Sequence, residues 1–333
     1  MTRQSLGIDN FTLALVATVS AATLLPARGA LAAAFEQATV FAVALLFFLH
    51  GAKLSAEAII AGATHWRLHL TVFAATFGLF PLLGLALKPL LAPLVTPELY
   101  LGVLYVCALP ATVQSAIAFT SIARGNIPAA ICSASASSIL GIFLTPLLVG
   151  VLLGTRSSAA GGDTLHAMWK IVEQLLLPFI AGQVARQWIG RWVDRNKGLL
   201  RFVDQGSILL VVYVAFSAAV LQGLWHQVPP ASLAGTLVVN AVLLSLVLLA
   251  TRYTARLEGF SREDEITTVF CGSKKSLASG VPMAKVLFAG HSIGVILLPL
   301  MLFHQMQLMV CAVLARRYAA QRAPVTAAAR EPA

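Results

Sequence analysis

Charged residues are scarce in this 333-residue chain: only 11% of the residues are charged, while 59% are hydrophobic. A soluble domain of ordinary composition is about a quarter charged. So few charged groups cannot cover a surface that faces water, so lipid must be the main solvent of the folded chain. The composition therefore excludes a soluble globular protein and indicates an integral membrane protein.

Acidic residues are the scarcer charged class, with 13 Asp and Glu against 23 Lys and Arg, and the formal net charge is +10. A basic balance of this size is common in proteins that bind nucleic acids. Here the basic residues lie between apolar runs and do not form one soluble face. We therefore exclude nucleic acid as a partner and expect the lipid bilayer instead.

Cysteine pairs and catalytic motifs are lacking. The four cysteines form no C-x-x-C pair and all lie within apolar segments, which argues against a disulfide framework or a zinc site. The sequence contains no H-E-x-x-H, G-x-S-x-G or P-loop motif. We therefore expect a protein that is not an enzyme and that holds no metal and no cofactor.

Apolar runs dominate what is present. A membrane-spanning helix needs about 20 predominantly apolar residues. Ten segments qualify, and they leave room only for short loops. They are 10–27, 36–54, 68–91, 98–122, 127–153, 171–189, 202–223, 231–252, 264–288 and 291–315.

The first segment has a second interpretation. Arg3 precedes its apolar run and small residues follow at 27–30, as in a cleaved signal peptide. Charge bias does not decide between the two, because cleavage would leave the later spans oriented as before. The repeat described below favours a retained first span.

The distribution of Lys and Arg predicts the orientation. If the N-terminus is cytoplasmic, sixteen of the 23 basic residues lie on the cytoplasmic side, five lie outside and two lie within the ninth span. Positive charge accumulates in cytoplasmic loops. We therefore predict a multi-pass protein with both termini in the cytoplasm and a disordered cytoplasmic tail at 319–333.

The fourth and ninth spans each contain a helix breaker beside a polar cluster. Proline removes a backbone donor and glycine lowers helix propensity. Such a break in the membrane is tolerated only where other protein groups or a water-filled cavity satisfy the freed backbone. In span four the residues are Pro110, Thr112, Gln114 and Ser115; in span nine they are Gly272, Ser273, Lys274, Lys275 and Ser276, followed by Gly280 and Pro282.

Spans four and nine hold the same position in two halves of five spans, 1–153 and 164–318. Five is an odd number, so a duplicated half would enter the membrane inverted, and paired interrupted helices then point to a transporter's binding site. The alternative is two ordinary kinked helices, since proline and glycine are common in membrane spans. We predict one all-α membrane domain of ten transmembrane helices in two inverted five-helix repeats, with breaks at Pro110, Gly272, Gly280 and Pro282.

Several motifs resemble the bile acid:sodium symporter superfamily (solute carrier family 10). The segment from Leu109-Pro110 to Ala123-Arg124-Gly125-Asn126, with Leu144-Thr145-Pro146-Leu147-Leu148, is similar to its fourth and fifth helices. The stretch FCGSKKSL at 270–277 resembles the branch of the vertebrate sodium/bile acid cotransporter 7 and its bacterial relatives. The resemblance runs from about residue 10 to 315. It implies a panel of helices beside a core in which broken helices 4 and 9 cross, in the inner membrane of a bacterium.

The resemblance also implies positions for an ion site. Sodium-coupled members hold sodium near the crossing through oxygens of helices four and five, a carboxylate of helix nine and carbonyls at the break. Three departures argue against sodium and bile acids here: Phe270 replaces the carboxylate, Lys274 and Lys275 replace amides, and Ala116 replaces an asparagine. The matching positions are Ser115, Ser133, Ser137, Gly272 and Ser276.

Lys274 and Lys275 are the most unusual residues of the chain. A charge at the membrane centre costs at least a few kcal/mol, and no Asp or Glu lies at comparable depth. They could form an anion site, exchange protons, or replace sodium with an ammonium; alternatively, they only pin the break. Because adjacent helical residues point about 100° apart, we expect one beside the half-helix that opens at Ser276 and the other at carbonyls freed in span four.

The remaining polar residues could serve either a binding site or ordinary helix packing. Ser133 and Ser137 share a face of span five, and His304 lies in span ten one turn from Gln307. We count Ser133, Ser137 and His304 as candidate site residues. Small-residue packing would explain the two serines equally well, and an interhelical hydrogen bond is the favoured explanation for His304. His65 and His69 have metal-like spacing, but their position beside Trp66 favours anchoring at the membrane interface.

Together these features predict a secondary active transporter that works by alternating access. The substrate is a small molecule, with an organic anion favoured, and coupling to protons is favoured over coupling to sodium. The alternative is a membrane regulator of cation or calcium homeostasis that moves no solute itself. An intramembrane enzyme has little support, because no nucleophile–base pair is evident. The sequence leaves the oligomeric state open.

Overall fold

The structure is a computed structural model that describes residues 10–53, 65–152, 172–288 and 292–321. Within these ranges every regular element is a helix and there is no strand. Six of the described helices are long and apolar enough to cross a membrane, and two shorter apolar helices accompany them. The boundary between the two halves and most of the predicted disordered tail lie outside the described residues.

Each predicted apolar segment contains one main helix or, for spans four and nine, two consecutive helices. Several helices run past the apolar segment, because polar residues continue a helix in water beyond the hydrocarbon layer. The main helices are α1 (Asn10–Leu24), α2 (Gly29–Lys53), α3 (Trp66–Ala86), α4 (Pro97–Ala108), α5 (Gln114–Ile122), α6 (Ile127–Leu152), α7 (Leu177–Arg195), α8 (Lys197–Leu221), α9 (Pro230–Leu257), α10 (Arg262–Gly272), α11 (Leu277–Leu287) and α12 (Ile293–Ala320).

Four helices, α1, α2, α7 and α8, pack together as one group, here called the panel. The α2 and α7 backbones are in direct contact at two glycines. A Cβ added at Gly51 would lie 2.0 Å from the backbone oxygen of Phe179, and one added at Gly182 would lie 1.8 Å from that of Phe48. Small residues allow this close approach in membranes, where lipid offers no hydrophobic drive between helices.

The other eight main helices, α3–α6 and α9–α12, form a second group, here called the core. In it α4 packs on α12, while α10 packs on α3, α5, α6 and α9. The panel meets the core chiefly where α8 contacts α11 and α12. An ion pair of 2.9 Å between Lys285 of α11 and Glu36 of α2 also connects the two groups.

Two helix breaks lie within the core. The first separates α4 from α5 at 109–113 and contains Pro110, and the second follows Gly272 and separates α10 from α11. These two predicted breaks are confirmed. The predicted breaks at Gly280 and Pro282 are wrong, because both residues lie inside α11. Pro282 removes only one backbone hydrogen bond from the helix. Gly280 allows close packing against Leu109, because a Cβ added at Gly280 would lie 2.6 Å from the Leu109 Cδ1.

Candidate functional site

The two breaks meet and bond to each other. The backbone N–H of Ser276 donates to the oxygen of Pro110 at 2.9 Å, which joins the second break to the first. Ser276 also caps α11, because its Oγ accepts the N–H of Ser279 at 3.1 Å. Serine is favoured at this position because it satisfies an N–H that the helix leaves unpaired. The breaks therefore form one connected crossing.

Backbone groups freed at the first break have hydrogen-bond partners, and two of these partners come from another helix. A buried carbonyl or N–H without a partner costs free energy comparable to a lost hydrogen bond. Helix α6 supplies two of the side chains that prevent this loss. The bonds, donor first, are Leu109 N–H to the Val106 oxygen (3.2 Å), Thr145 Oγ1 to the Ala108 oxygen (2.9 Å) and Ala111 N–H to Ser137 Oγ (3.0 Å).

Gln307 of α12 plays the corresponding part at the second break. Its Oε1 accepts the backbone N–H of Lys275 at 2.8 Å, and its Nε2 donates to the Lys275 oxygen at 2.8 Å. The Nδ1 of His304 lies 3.0 Å from the same Nε2. One side-chain amide thus satisfies both backbone groups of a residue that has left the helix. Each break is held by the helix of the next span, α6 in the first half and α12 in the second.

The Lys275 ammonium is enclosed by oxygens. Its Nζ donates to the carbonyls of Thr76 (2.8 Å), Cys107 (2.9 Å) and Leu109 (2.7 Å), and the side chain is fully buried. The Nζ also lies 4.2 Å from the centroid of the Phe80 ring, a cation–π distance. An ammonium has three N–H donors, so all three are satisfied. Lys275 therefore reaches carbonyls at the end of α4, beside the first break, as predicted for one of the two lysines. The other was predicted beside the half-helix that opens at Ser276, but the oxygen that Lys274 contacts belongs to α5.

The Thr76 carbonyl is available because α3 widens into a π-helical turn at Ala74–Leu79. In a regular α-helix the Thr76 oxygen would accept the N–H of Phe80, but that N–H donates to Ala75. The next candidate along the chain is Pro81, which has no N–H. The widened turn and the proline together leave one carbonyl pointing away from its own helix, as π-bulges at functional sites often do.

Lys274 has very different surroundings, although it is also fully buried. Its Nζ donates to a single carbonyl, that of Ser115, at 2.7 Å. Two aromatic rings flank the amine, with centroids 3.9 Å away in Phe119 and 5.5 Å away in Phe270. Phe270, which stands where the resemblance leads one to expect a carboxylate, thus offers its ring to a cation. Lys274 has one oxygen partner where Lys275 has three.

No carboxylate neutralises either amine in the part of the chain that the structure describes. The ion pairs there join Lys53 to Asp204, Lys285 to Glu36, and other basic residues to Asp194, Asp264 and Glu265. The described residues also contain no group of three or more His, Cys, Asp or Glu that could hold a metal ion. Among the described residues, no carboxylate would therefore compensate a positive charge at the crossing.

The remaining predicted site residues divide into two sets. At the crossing, Ser115 Oγ donates to Thr112 Oγ1 at 3.2 Å, and Ser273 Oγ donates to the Val269 oxygen at 2.6 Å. Gln114 is exposed, one residue from the carbonyl that binds Lys274. Ser133 instead pairs with a histidine outside the crossing.

His69 is that histidine, and its side chain packs inside the protein, whereas the predicted interfacial anchor would be exposed. It is only 9% exposed, and its Nδ1 lies 2.7 Å from the Oγ of Ser133, which binds α3 to α6. Burial follows from its position one helical turn after His65, on the face of α3 that packs against α6 and α10.

Sequence reasoning missed the contribution of several residues. Gln307 was noted only as a neighbour of His304, and nothing in the sequence connects it to Lys275. The rings of Phe80 and Phe119 lie in apolar runs where phenylalanine is ordinary. The one local signal for the freed carbonyl of Thr76 is Pro81, five residues later.

Two cavities lie away from the lysines. The larger, of about 530 Å³, lies between α3 and α9 and has a mainly apolar lining that includes Leu70, Ala74 and Thr251. The smaller, of about 230 Å³, lies where α8 meets α11 and α12, and it is lined by Glu36, Lys285 and Ser292 among others. Both lysines are enclosed by protein in this structure.

Nearly the whole chain matches one family model. Residues 9–320 match the SBF-like CPA transporter family. The chain belongs to that family. This membership agrees with the resemblance in spans four, five and nine. The family is one of membrane transporters, and the match indicates no catalytic family.

Relatives align over nearly the full length. An uncharacterised protein of Pseudomonas aeruginosa is 68% identical over 323 residues, which cover 97% of this chain and 96% of the relative. The "Putative symporter YfeH" of Escherichia coli is 57% identical over 314 residues, 94% of each chain. The sodium/bile acid cotransporter 7 of Rattus norvegicus is 30% identical over 310 residues, 91% of this chain and 90% of the relative.

Proposed function

We propose that this protein is a secondary active transporter with ten transmembrane helices in two inverted five-helix repeats, and with both termini on the cytoplasmic side of the bacterial inner membrane. The family and the symporter named among its relatives support transport. The equivalent roles of α6 and α12, each holding the break before it, support the repeat. The charge bias of the loops supports the orientation.

Alternating access follows from movement of the core against the panel. The two groups are held together chiefly where α8 meets α11 and α12, and by the Lys285–Glu36 ion pair. We assign this contact to the outer side, because α11 ends and α12 begins there under the proposed orientation. The state described here is then closed outside, and the opposite state requires the ion pair to separate.

The substrate we favour is a small organic anion. The single observation that carries this choice is Lys274, a fully buried amine that has one oxygen partner and no carboxylate partner among the described residues. The N-termini of α5 and α11 follow the two breaks, and helix N-termini favour negative charge. Exposed Gln114 lies one residue from the Lys274 contact, so a small opening of α5 gives a substrate access to the amine.

Coupling to protons is favoured over coupling to sodium. Lys274 can release and regain a proton, whereas the carboxylate that a sodium site would use is replaced by Phe270. A second positive charge beside a sodium ion would repel it. We therefore propose that Ser115, Ser133 and Ser137 support the helices here and do not ligate sodium.

Reconstitution into proteoliposomes tests this function. Uptake or counterflow of a small organic anion should respond to a pH gradient and should show little dependence on sodium. Flux that requires sodium and is lost in Ser115→Ala would overturn the proposed coupling. A folded protein that moves no anion across a broad panel, under any gradient, would instead favour the regulator of cation or calcium homeostasis.

A further inference from the structure

A set of backbone oxygens converges on one point of the core. The carbonyls of Thr76, Cys107 and Leu109 come from the widened turn of α3 and from the end of α4, and all three lie within 2.9 Å of the same nitrogen. The face of Phe80 lies beneath that nitrogen at 4.2 Å. Oxygens with an aromatic face are the surroundings that proteins offer to a cation.

The nitrogen at this point belongs to Lys275, which lies 166 to 199 residues away from the oxygens in sequence. A neutral amine has two N–H donors and a lone pair, so three acceptor oxygens at hydrogen-bond distance fit an ammonium, which has three donors. The carbonyl oxygens would face one another without a cation between them. The charge thus stabilises the group of oxygens as much as the oxygens stabilise the charge.

We propose that Thr76, Cys107, Leu109 and Phe80 form a monovalent-cation site whose occupant is the covalently attached ammonium of Lys275. The site holds the π-turn of α3, the end of α4 and the second break together around one charge. The protein therefore needs no dissolved cation to complete its crossing. This inference rests on the contacts of Lys275 and is independent of any transported solute.

The distances favour particular substitutes for the ammonium. Separations of 2.7–2.9 Å suit an ammonium or a potassium-sized ion. Sodium makes shorter bonds to oxygen, so the three carbonyls would have to move inward.

Chemical rescue tests the site. Lys275→Ala removes three carbons and the nitrogen, which together correspond to a propylammonium ion. The purified variant should unfold at a temperature lower by on the order of 10 °C, as expected when several buried acceptors lose their donors. Millimolar propylammonium chloride should restore about half of that loss with saturation, in line with ligand binding to the folded state. Propanol, which has the shape but not the charge, should restore none.

Three controls define the result. Lys274→Ala should gain little from propylammonium, because its amine contacts one carbonyl. Lys197→Ala, at an exposed position, should resemble the wild type with or without the amine. Choline chloride at equal concentration controls for ionic strength. Equal rescue of Lys275→Ala by propanol, or equal rescue of Lys274→Ala by propylammonium, would overturn the proposal.

The wild-type protein gives a second test if Lys275→Ala does not fold. With the site already filled, sodium and potassium chloride should shift its unfolding temperature no more than choline chloride does. A saturable stabilisation by sodium or potassium would show that the crossing takes a dissolved cation, and it would contradict the proposal. Neither measurement involves flux, so the outcome is separate from that of the proposed transport.

Discussion

Lys274 and Lys275 are neighbours in sequence, both fully buried, and their surroundings differ in kind. Lys275 has an oxygen for each of its three N–H bonds and lies among α3, α4 and the second break. Lys274 has one oxygen, from α5, and two aromatic neighbours, one in α5 and one in α10. The difference shows that a broken helix lets adjacent side chains enter separate sites. We infer that Lys275 holds the structure together and that Lys274 serves the substrate.

The largest expected effect is a difference in unfolding temperature between variants of the two lysines. Lys275→Met leaves three buried carbonyls without a donor, and each such loss costs about 1–3 kcal/mol. Lys274→Met removes a single hydrogen bond, to the carbonyl of Ser115. We expect the first variant to lower the unfolding temperature about two to three times as much as the second, measured by thermal unfolding in detergent. Lys88→Met, at an exposed position, is the neutral control. Equal decreases in unfolding temperature for the two buried variants would contradict the proposed difference between the lysines.

Transport by the same two variants should rank them in the opposite order, with the greater loss in Lys274→Met. For equal amounts of folded protein, Lys274→Met should reduce initial uptake of the anion by about tenfold or more, since about 1.4 kcal/mol of lost interaction corresponds to a factor of ten. Lys285 is unsuitable as the neutral control, because its ion pair with Glu36 joins panel and core. Lys88→Met serves instead. Normal uptake in Lys274→Met would assign the amine to packing alone.

The two breaks offer a smaller contrast. Gln307→Leu removes both hydrogen bonds to the backbone of Lys275, and we expect a loss of about 2–4 kcal/mol. Thr145→Val removes one bond, to the Ala108 oxygen, and should cost about 1–2 kcal/mol. Denaturant or thermal unfolding of the two variants measures the ratio. A Gln307→Leu variant as stable as Thr145→Val would show that the second break is held by other contacts.

The smallest expected effect lies outside the crossing. Ser133→Ala removes the hydrogen bond to His69 and should lower stability by about 1 kcal/mol. It should leave uptake, and its independence of sodium, unchanged. A loss of uptake larger than that of Lys274→Met would place Ser133 in the binding site after all.

Much of the fold could be predicted because membrane segments carry strong local signals. An apolar run of about 20 residues identifies a span, and the Pro110 and Gly272 breaks follow from the backbone chemistry of those residues. The predicted breaks at Gly280 and Pro282 were wrong, because sequence alone does not distinguish a glycine that allows close packing, or a proline that removes one hydrogen bond, from a residue that ends a helix. The family could be recognised for the same reason, since its motifs cluster at the breaks.

The details of the site could not be predicted, because they depend on contacts distant in sequence. The bond from Lys275 to Thr76 spans 199 residues, and the bonds from Gln307 to the Lys275 backbone span 32. Adjacent residues on a broken backbone have no fixed angle between them. Only the folded structure decides which lysine meets three oxygens and which meets one. The Ser133–His69 pair escaped notice for the same reason.

Binding of anions to purified protein tests the central claim most directly. A thermal-shift screen of wild type, Lys274→Met and Lys88→Met against small organic anions, with sodium and choline salts as references, measures whether a ligand stabilises the folded state. We predict that at least one class of anion stabilises wild type and Lys88→Met with saturation, and that Lys274→Met loses that stabilisation. An equal shift in Lys274→Met, or stabilisation of the wild type by sodium alone, would contradict the account.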